Sequence, residues 1–98
     1  MGNRTPYEVL FHHDFPEDLE KLPKKLVERI LKAIEDRLTQ APGDYGERLR
    51  QSLQGFWKIR VGDYRVVYEI SGRQVRVYGV KNRRDVYQEI TKRTSKGW

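Results

Sequence analysis

Lys58, Arg60, Arg65, Tyr87 and a late cation at Lys81 or Arg83 are the side chains whose types and spacing could do chemistry in this chain. The chemistry they suit is phosphodiester transfer on RNA. A base must take the proton of a ribose 2′-OH, cations must neutralise charge growing on the in-line phosphate, and an acid must protonate the departing 5′-oxygen. Basic side chains crowded on a sheet do the second job outright. They can also depress one another's pKa, which suits a lysine to proton transfer near neutrality. Tyrosine offers a phenolic proton, or a ring on which a base can stack. Base, charge clamp and acid can thus be assembled without a metal. The same residues also describe a passive polyanion binder, and both readings stand at this point.

The stretch Phe56–Tyr68, reading FWKIRVGDYRVVY, positions the first three. It alternates as a strand, turns at Gly62-Asp63 and alternates again, which predicts an antiparallel hairpin with a two-residue turn. With Val61 and Tyr64 flanking the turn, Arg60 sits opposite Arg65, Ile59 opposite Val66 and Lys58 opposite Val67. Period-two alternation puts Trp57, Ile59, Val61, Tyr64, Val66 and Tyr68 on one face. Lys58, Arg60 and Arg65 share the other. Two arginines directly across a strand pair repel, at a cost of up to ~1 kcal/mol. Folding supplies no reason for that pair, and local departures from folding rules tend to mark functional sites. The basic face therefore reads as a phosphate-binding surface. Trp57, Tyr64 and Tyr68 read as core rather than as base-stacking platforms, whereas Tyr78 alternates onto the basic face.

Charge distribution points the same way. From Lys58 to Arg84 there are eight basic residues (Lys58, Arg60, Arg65, Arg73, Arg76, Lys81, Arg83, Arg84) and two acidic ones, Asp63 and Glu69, a net of +6. The rest of the chain holds twelve of each, so this segment carries the whole excess. Such segregation is the electrostatic footprint of a polyanion partner. Lys81, Arg84, Arg76 and Arg73 join the set as RNA- or phosphate-binding candidates. With 98 residues, 37% hydrophobic and 35% charged, the chain suits one domain with a compact core. There is no cysteine, hence no disulfide, thiol nucleophile or cysteine zinc site. No run reaches a membrane span and no signal-peptide pattern opens the chain, so a cytoplasmic protein is expected. His12 and His13 are adjacent, so on a strand they point to opposite faces, and no metal site is expected. No cofactor fingerprint is present, and Ser52, Ser71 and Ser95 lack a His/Asp partner pattern.

The remaining chain supplies the scaffold. Tyr7–His12 reads as a first strand. Phe15-Pro16-Glu17-Asp18 opens a short helix, with proline and two carboxylates suiting its first turn. A longer helix runs from Pro23 to about Gln40, with Leu26, Val27, Ile30, Leu31, Ile34 and Leu38 on one face, and Pro42-Gly43 ends it. Gly46–Gly55 is a polar connection anchored by Leu49 and Leu53. Beyond the hairpin, Gly72-Arg73 predicts a second turn into a strand Val75–Val80, pairing Ile70 with Val75, Tyr68 with Val77 and Glu69 with Arg76. A last helix starts near Asn82 as N-cap, with Asp85 in a capping-box-like position, Val86 and Ile90 as its stripe, and fraying after about Arg93. Arg83 and Arg84 fall in its first turn, where the dipole disfavours cations but free N–H groups suit an anion. The order β-α-α-β-β-β-α predicts one α+β domain over residues 1–98, a small antiparallel sheet with two N-terminal helices packed on it and a C-terminal helix.

Leu53-Gln54-Gly55, then Trp57 to Tyr68, then Arg83-Arg84-Asp85-Val86-Tyr87 resemble the RelE/ParE superfamily of toxin–antitoxin toxins. The resemblance covers nearly the whole chain, including the opening YEVLF and the DLEKLPKK helix junction. In the RelE branch it implies a cytoplasmic, metal-independent and cofactor-free endoribonuclease that cleaves mRNA in the ribosomal A site by 2′-OH attack. The implied partners are a cognate antitoxin, the ribosome and mRNA, with no membrane. Carried over, the catalytic lysine is Lys58, the second basic position is Arg60, the following arginine is Arg65 and the late tyrosine is Tyr87. The late catalytic cation falls on Lys81 by ungapped spacing or on Arg83 as the nearer arginine. Arg60 stands where the best-known pattern has lysine; it stays protonated and can clamp but is a poor proton donor. The Glu/His pair of another ribonuclease branch has no evident counterpart. The rival reading within the superfamily is a ParE-like toxin that inhibits DNA gyrase and cleaves nothing. A third is a chain that only binds a partner.

Overall fold

The computed structural model describes residues 6–98. In order, these form β1 (Glu8–Phe11), α1 (Phe15–Glu20), α2 (Lys24–Ala33) continued by a π-helical turn (Ile34–Leu38), and α3 (Pro42–Tyr45). Then come β2 (Glu47–Arg48), a 3₁₀ turn (Gln51–Leu53), β3 (Trp57–Val61), β4 (Tyr64–Ser71), β5 (Gln74–Asn82) and α4 (Val86–Ser95). Both hairpins take the expected registers, with Arg60 opposite Arg65 and Lys58 opposite Val67 in one, and Glu69 opposite Arg76 in the other. Turn chemistry sets them: Gly62 and Gly72 sit at φ of 61° and 60°, which glycine adopts without the Cβ penalty.

The strands lie in the order β1-β5-β4-β3-β2, and the outer one departs from expectation. β1 lies parallel to β5, with Val9 beside Val75 and Phe11 beside Val77, so the sheet is mixed rather than antiparallel throughout. No hairpin joins these two strands, and local turn chemistry therefore has no say in their direction. Between β4 and β5, Val67 pairs with Gly79 but Tyr68 with Val77, leaving Tyr78 as the extra residue of a bulge. The bulge advances the side-chain alternation by one. Val77 and Val80 consequently share the α2 side of the sheet, and Lys81 lines up beside Arg65.

Two apolar layers result. On one face Ile30, Ile34 and Leu38 pack on Ile59, Val61, Val66, Tyr68, Val75 and Val77. Trp57 and Tyr64 pack at its margin, so these aromatics are core, as expected. The helix stripe is narrower than the sequence implied, because Leu31 is exposed and Ala33 is buried instead. On the opposite face Leu49, Leu53, Val67, Tyr78, Val86 and Ile90 form a second cluster beneath α4. Tyr78 does alternate onto the basic face, but it is covered there and not free to stack on a base.

Three local expectations are corrected. His12 and His13 lie beyond the end of β1, where strand alternation no longer applies, and their rings stack 4.2 Å apart instead of diverging. The N-cap of α4 is Asp85 rather than Asn82; Asn82 Oδ1 instead accepts the Arg84 N–H at 2.9 Å. Arg83 and Arg84 thus occupy the turn before the helix and not its first turn. The helix also continues past Arg93 to Ser95, because Arg93 is a tertiary anchor.

That anchor is Asp18. Beyond Phe11, β1 no longer covers β5, and Asp18 Oδ2 accepts the Val80 N–H at 3.0 Å in its place. Arg93 donates to both carboxylate oxygens at 2.7 Å and to the Tyr78 carbonyl at 3.0 Å. Lys81 Nζ lies 3.1 Å from Oδ1. Gly79 is required beneath this group, since a Cβ there would collide with the Arg93 guanidinium. Burial alone would raise the Asp18 pKa, but the Arg93 and Val80 hydrogen bonds and Lys81 outweigh it and hold the carboxyl below its ordinary 3.8. The unfolded carboxyl takes up a proton at higher pH than the folded one. The stabilisation is therefore complete above about pH 4 and is lost as pH falls through the folded value. Asp18→Asn is expected to cost about 3 kcal/mol at neutral pH, the low end for a broken buried pair because both cations keep some solvent. Urea titrations at several pH values should also show a shallower acid-side loss in this variant than in the parent.

Candidate phosphate-handling site

β3 and α4 bring together the two groups fit for proton transfer. Lys58, opposite Val67 on the α4 face, donates from Nζ to the Tyr87 hydroxyl at 2.8 Å, with the ammonium 5.5 Å from the tyrosine ring centre. Tyr87 follows Val86, whose burial with Ile90 seats α4 on the sheet; the next side chain is thereby turned outward and is 47% exposed. The loop before β3 is tied to the same helix. Ser52 Oγ lies 3.3 Å from Thr91 Oγ1, which donates to the Tyr87 carbonyl at 2.5 Å. A cleft of about 410 Å³ opens there, lined by Arg48, Arg50, Gln51, Ser52, Lys58 and Tyr87 with Leu49 at its base. Gln51 holds φ of 55°, a left-handed conformation uncommon outside glycine and often found at functional sites.

The remaining candidates divide into groups. Arg60 is exposed and Arg65 buried. Arg65 donates to the carbonyls of Gly62 and Tyr64 at 3.0 and 2.9 Å. Arg83 is exposed, and its N–H reaches the Asp63 carbonyl at 2.8 Å, which places it at the same hairpin tip. Arg84 is exposed in the turn beside it. Lys81 is drawn to Asp18 as described. Arg76 lies 3.5 Å from Glu69, and Arg73 stacks 4.6 Å over the Tyr7 ring in the β4–β5 turn. The structure thus brings Lys58 to Tyr87 and gathers Arg60, Arg65 and Arg83, while Lys81, Arg76 and Arg73 have other partners.

Sequence reasoning missed Glu47, Arg48 and Arg50. Glu47 is opposite Lys58, with its Oε1 3.9 Å from Lys58 Nζ, so a carboxylate does stand beside the lysine. Arg48 lies 4.9 Å over the Trp57 ring. β2 has two residues, too few to show a period, and the segment read as a polar connection; the spacing Arg48-x-Arg50 ahead of a basic strand was the one available signal. His12, His13 and Asp14 bring three potential metal ligands within 4.8 Å of one another. His12 Nδ1 there already accepts the Asp14 N–H at 3.0 Å. Burial, then His13, pushes the His12 pKa down. Among the described residues no helix is long and apolar enough to cross a membrane.

Comparison with known proteins places this arrangement in context. Residues 9–87 match the family model described as ParE toxin of the type II toxin–antitoxin system parDE. Toxin RelE of Mycobacterium tuberculosis is 35% identical over 77 residues, 79% of this chain and 79% of that protein. Toxin RelG of the same organism is 32% identical over 85 residues, 85% of this chain and 98% of that protein. Among solved structures, the M. tuberculosis toxin–antitoxin complex RelBE2 matches with a TM-score of 0.74 and 30% identity, covering 79% of this chain and 98% of that one. A mutant of Escherichia coli toxin RelE in the free state matches with a TM-score of 0.68 and 25% identity, covering 91% and 98%. The RelE-like sheet with its flanking helices and the extent of these matches agree: the chain belongs to the ParE toxin family within the RelE/ParE superfamily of type II toxin–antitoxin systems.

Proposed function

We propose that this toxin is a ribosome-dependent, metal-independent mRNA endonuclease that cuts by 2′-OH attack in the ribosomal A site. The observation that carries the reading is the 2.8 Å hydrogen bond between Lys58 and Tyr87, an amine and a phenol poised together beside exposed cations. In the proposed step the 2′-oxygen forms its bond to phosphorus as the bond from phosphorus to the 5′-oxygen breaks. One member of the pair takes the 2′ proton and the other supplies a proton to the 5′-oxygen, leaving a 2′,3′-cyclic phosphate and a 5′-hydroxyl. Arg60, Arg65 and Arg83 stabilise the charge on the non-bridging oxygens. Arg83 suits the late position better than Lys81, whose ammonium is held by Asp18. Relatives named RelE and RelG support the branch. Relatives solved as RelB–RelE complexes support a cognate antitoxin as partner, here one that covers the basic surface in the cytoplasm.

Primer extension on a message undergoing translation in vitro tests the reading. The parent protein should produce A-site cuts, and Lys58→Ala should lower the single-turnover rate roughly 10²–10⁴-fold, the usual weight of a proton-transfer group. Intact message alongside trapped gyrase–DNA cleavage complexes would overturn it in favour of gyrase inhibition.

Arg65 and Lys58 are expected to separate on stability. Removing the Arg65 guanidinium orphans carbonyls at the hairpin turn, so Arg65→Ala should lose about 1–3 kcal/mol of stability as well as activity. Lys58→Ala, at a partly exposed site, should stay within about 0.5 kcal/mol of the parent. Chemical denaturation of both variants measures the difference.

A further inference from the structure

Among the described residues, some cations of this chain are neutralised by carboxylates and others are not, and five of the latter converge on one turn. Lys32, Lys58, Arg76, Lys81, Lys92 and Arg93 each lie 3.9 Å or less from a carboxylate. Arg29, Arg37, Arg60, Arg65 and Arg83 have no such partner, and all five meet the tip of the β3–β4 hairpin. Arg65 donates to the Gly62 and Tyr64 carbonyls. Arg37 donates to the Arg60 carbonyl at 3.3 Å, and the Arg83 backbone binds Asp63. The Arg29 guanidinium nitrogens lie 3.7 Å from where a Cβ on Gly62 would stand. Five like charges around one turn repel each other and outnumber Asp63, the carboxylate of that turn, which favours a polyanionic partner.

The outer edge of β3 is open beside them, because β2 pairs only with Trp57 and Lys58. A groove of about 430 Å³ runs between that edge and α2, lined by Arg29, Lys32, Asp36, Arg37, Arg60 and Gly62. Its apolar lining is confined to Ala33 and Val61, both buried. An amphipathic peptide would find no apolar pocket for an anchoring side chain, whereas a sugar–phosphate backbone needs none. Guanidinium forks match phosphate oxygens in pairs. Arg37 also lies within the π-helical turn, an irregularity that recurs at functional sites. Gly62 is four residues beyond Lys58, roughly 13 Å along the strand.

We infer that the helical side of the hairpin tip, through Arg29 of α2 and Arg37 of its π-helical continuation, forms a second phosphate-binding surface that docks the backbone of a folded RNA, apart from the arginines assigned to the scissile phosphate. It acts by positioning and takes no part in bond breaking. The identity of the polymer rests on the proposed function; the convergence of unneutralised arginines does not.

Arg29→Gln combined with Arg37→Gln tests the surface, against a control of Lys21→Gln combined with Lys96→Gln that removes the same charge elsewhere. Binding of a labelled RNA hairpin is followed by fluorescence anisotropy over a salt series. Loss of two phosphate contacts should make the slope of log affinity against log salt shallower by roughly 1.4–1.8 in the test variant only. In ribosomal cleavage the same variant should raise KM and leave kcat unchanged. Equal slopes in test and control would overturn the proposal. So would unchanged RNA binding together with weakened binding of a purified antitoxin, which would assign the surface to a protein partner. A parent protein that binds the hairpin with the expected slope difference but never cuts message would keep the docking surface and remove the proposed chemistry.

Discussion

Asp18 is the constraint on which the rest of the arrangement depends. A carboxylate this deeply buried is stable only when paired and hydrogen-bonded, and its three partners come from two elements, β5 and α4. The Val80 N–H closes the edge of β5 where β1 ends, Lys81 folds down onto it, and Arg93 fastens α4. Without that fastening, α4 would rest on Val86, Ile90 and a few apolar neighbours. The helix carries Tyr87, so a pair at one end of α4 bears on the geometry at the other.

The sheet does two unlike jobs on its two faces. Towards α2 it is an apolar surface filled by alternating side chains. Towards α4 it is divided: Val67 and Tyr78 are roofed by the helix, while Lys58 and Arg60 lie beyond the roof. The proposed chemistry falls on the uncovered strip. The strip stays exposed because the helix is held at the β5 side of the sheet, over the Asp18 cluster, and not over β3.

Much of this was legible in the residue order. Both hairpin registers follow from two-residue turns with glycine first and from alternation on either side, which are local features. The cross-strand arginine pair and the two-faced hairpin belong to that legible part; the family resemblance named Lys58 and Tyr87 but not the hydrogen bond between them. The direction of β1 was not legible, since its partner is more than sixty residues away and no turn joins them. Nor was the strand at Glu47–Arg48, whose two residues show no period and whose role depends on lying opposite Lys58. His12 and His13 misled because alternation was carried past the end of the strand.

The sequence by itself determined that a basic hairpin would form with Lys58, Arg60 and Arg65 on one face, because turn chemistry and period-two patterning act over a few residues. Tertiary structure alone decided which of those cations remain available. Lys81 and Arg76 carry the same formal charge as Arg60 and Arg83, yet the first two face carboxylates and the others do not. Asp18 and Arg93 are 75 residues apart, and neutralisation between such distant positions is set by the packing of α1 and α4 on the sheet. Arg29 and Arg37, which no local pattern singles out, became visible the same way, once the fold laid them against Gly62 and Arg60.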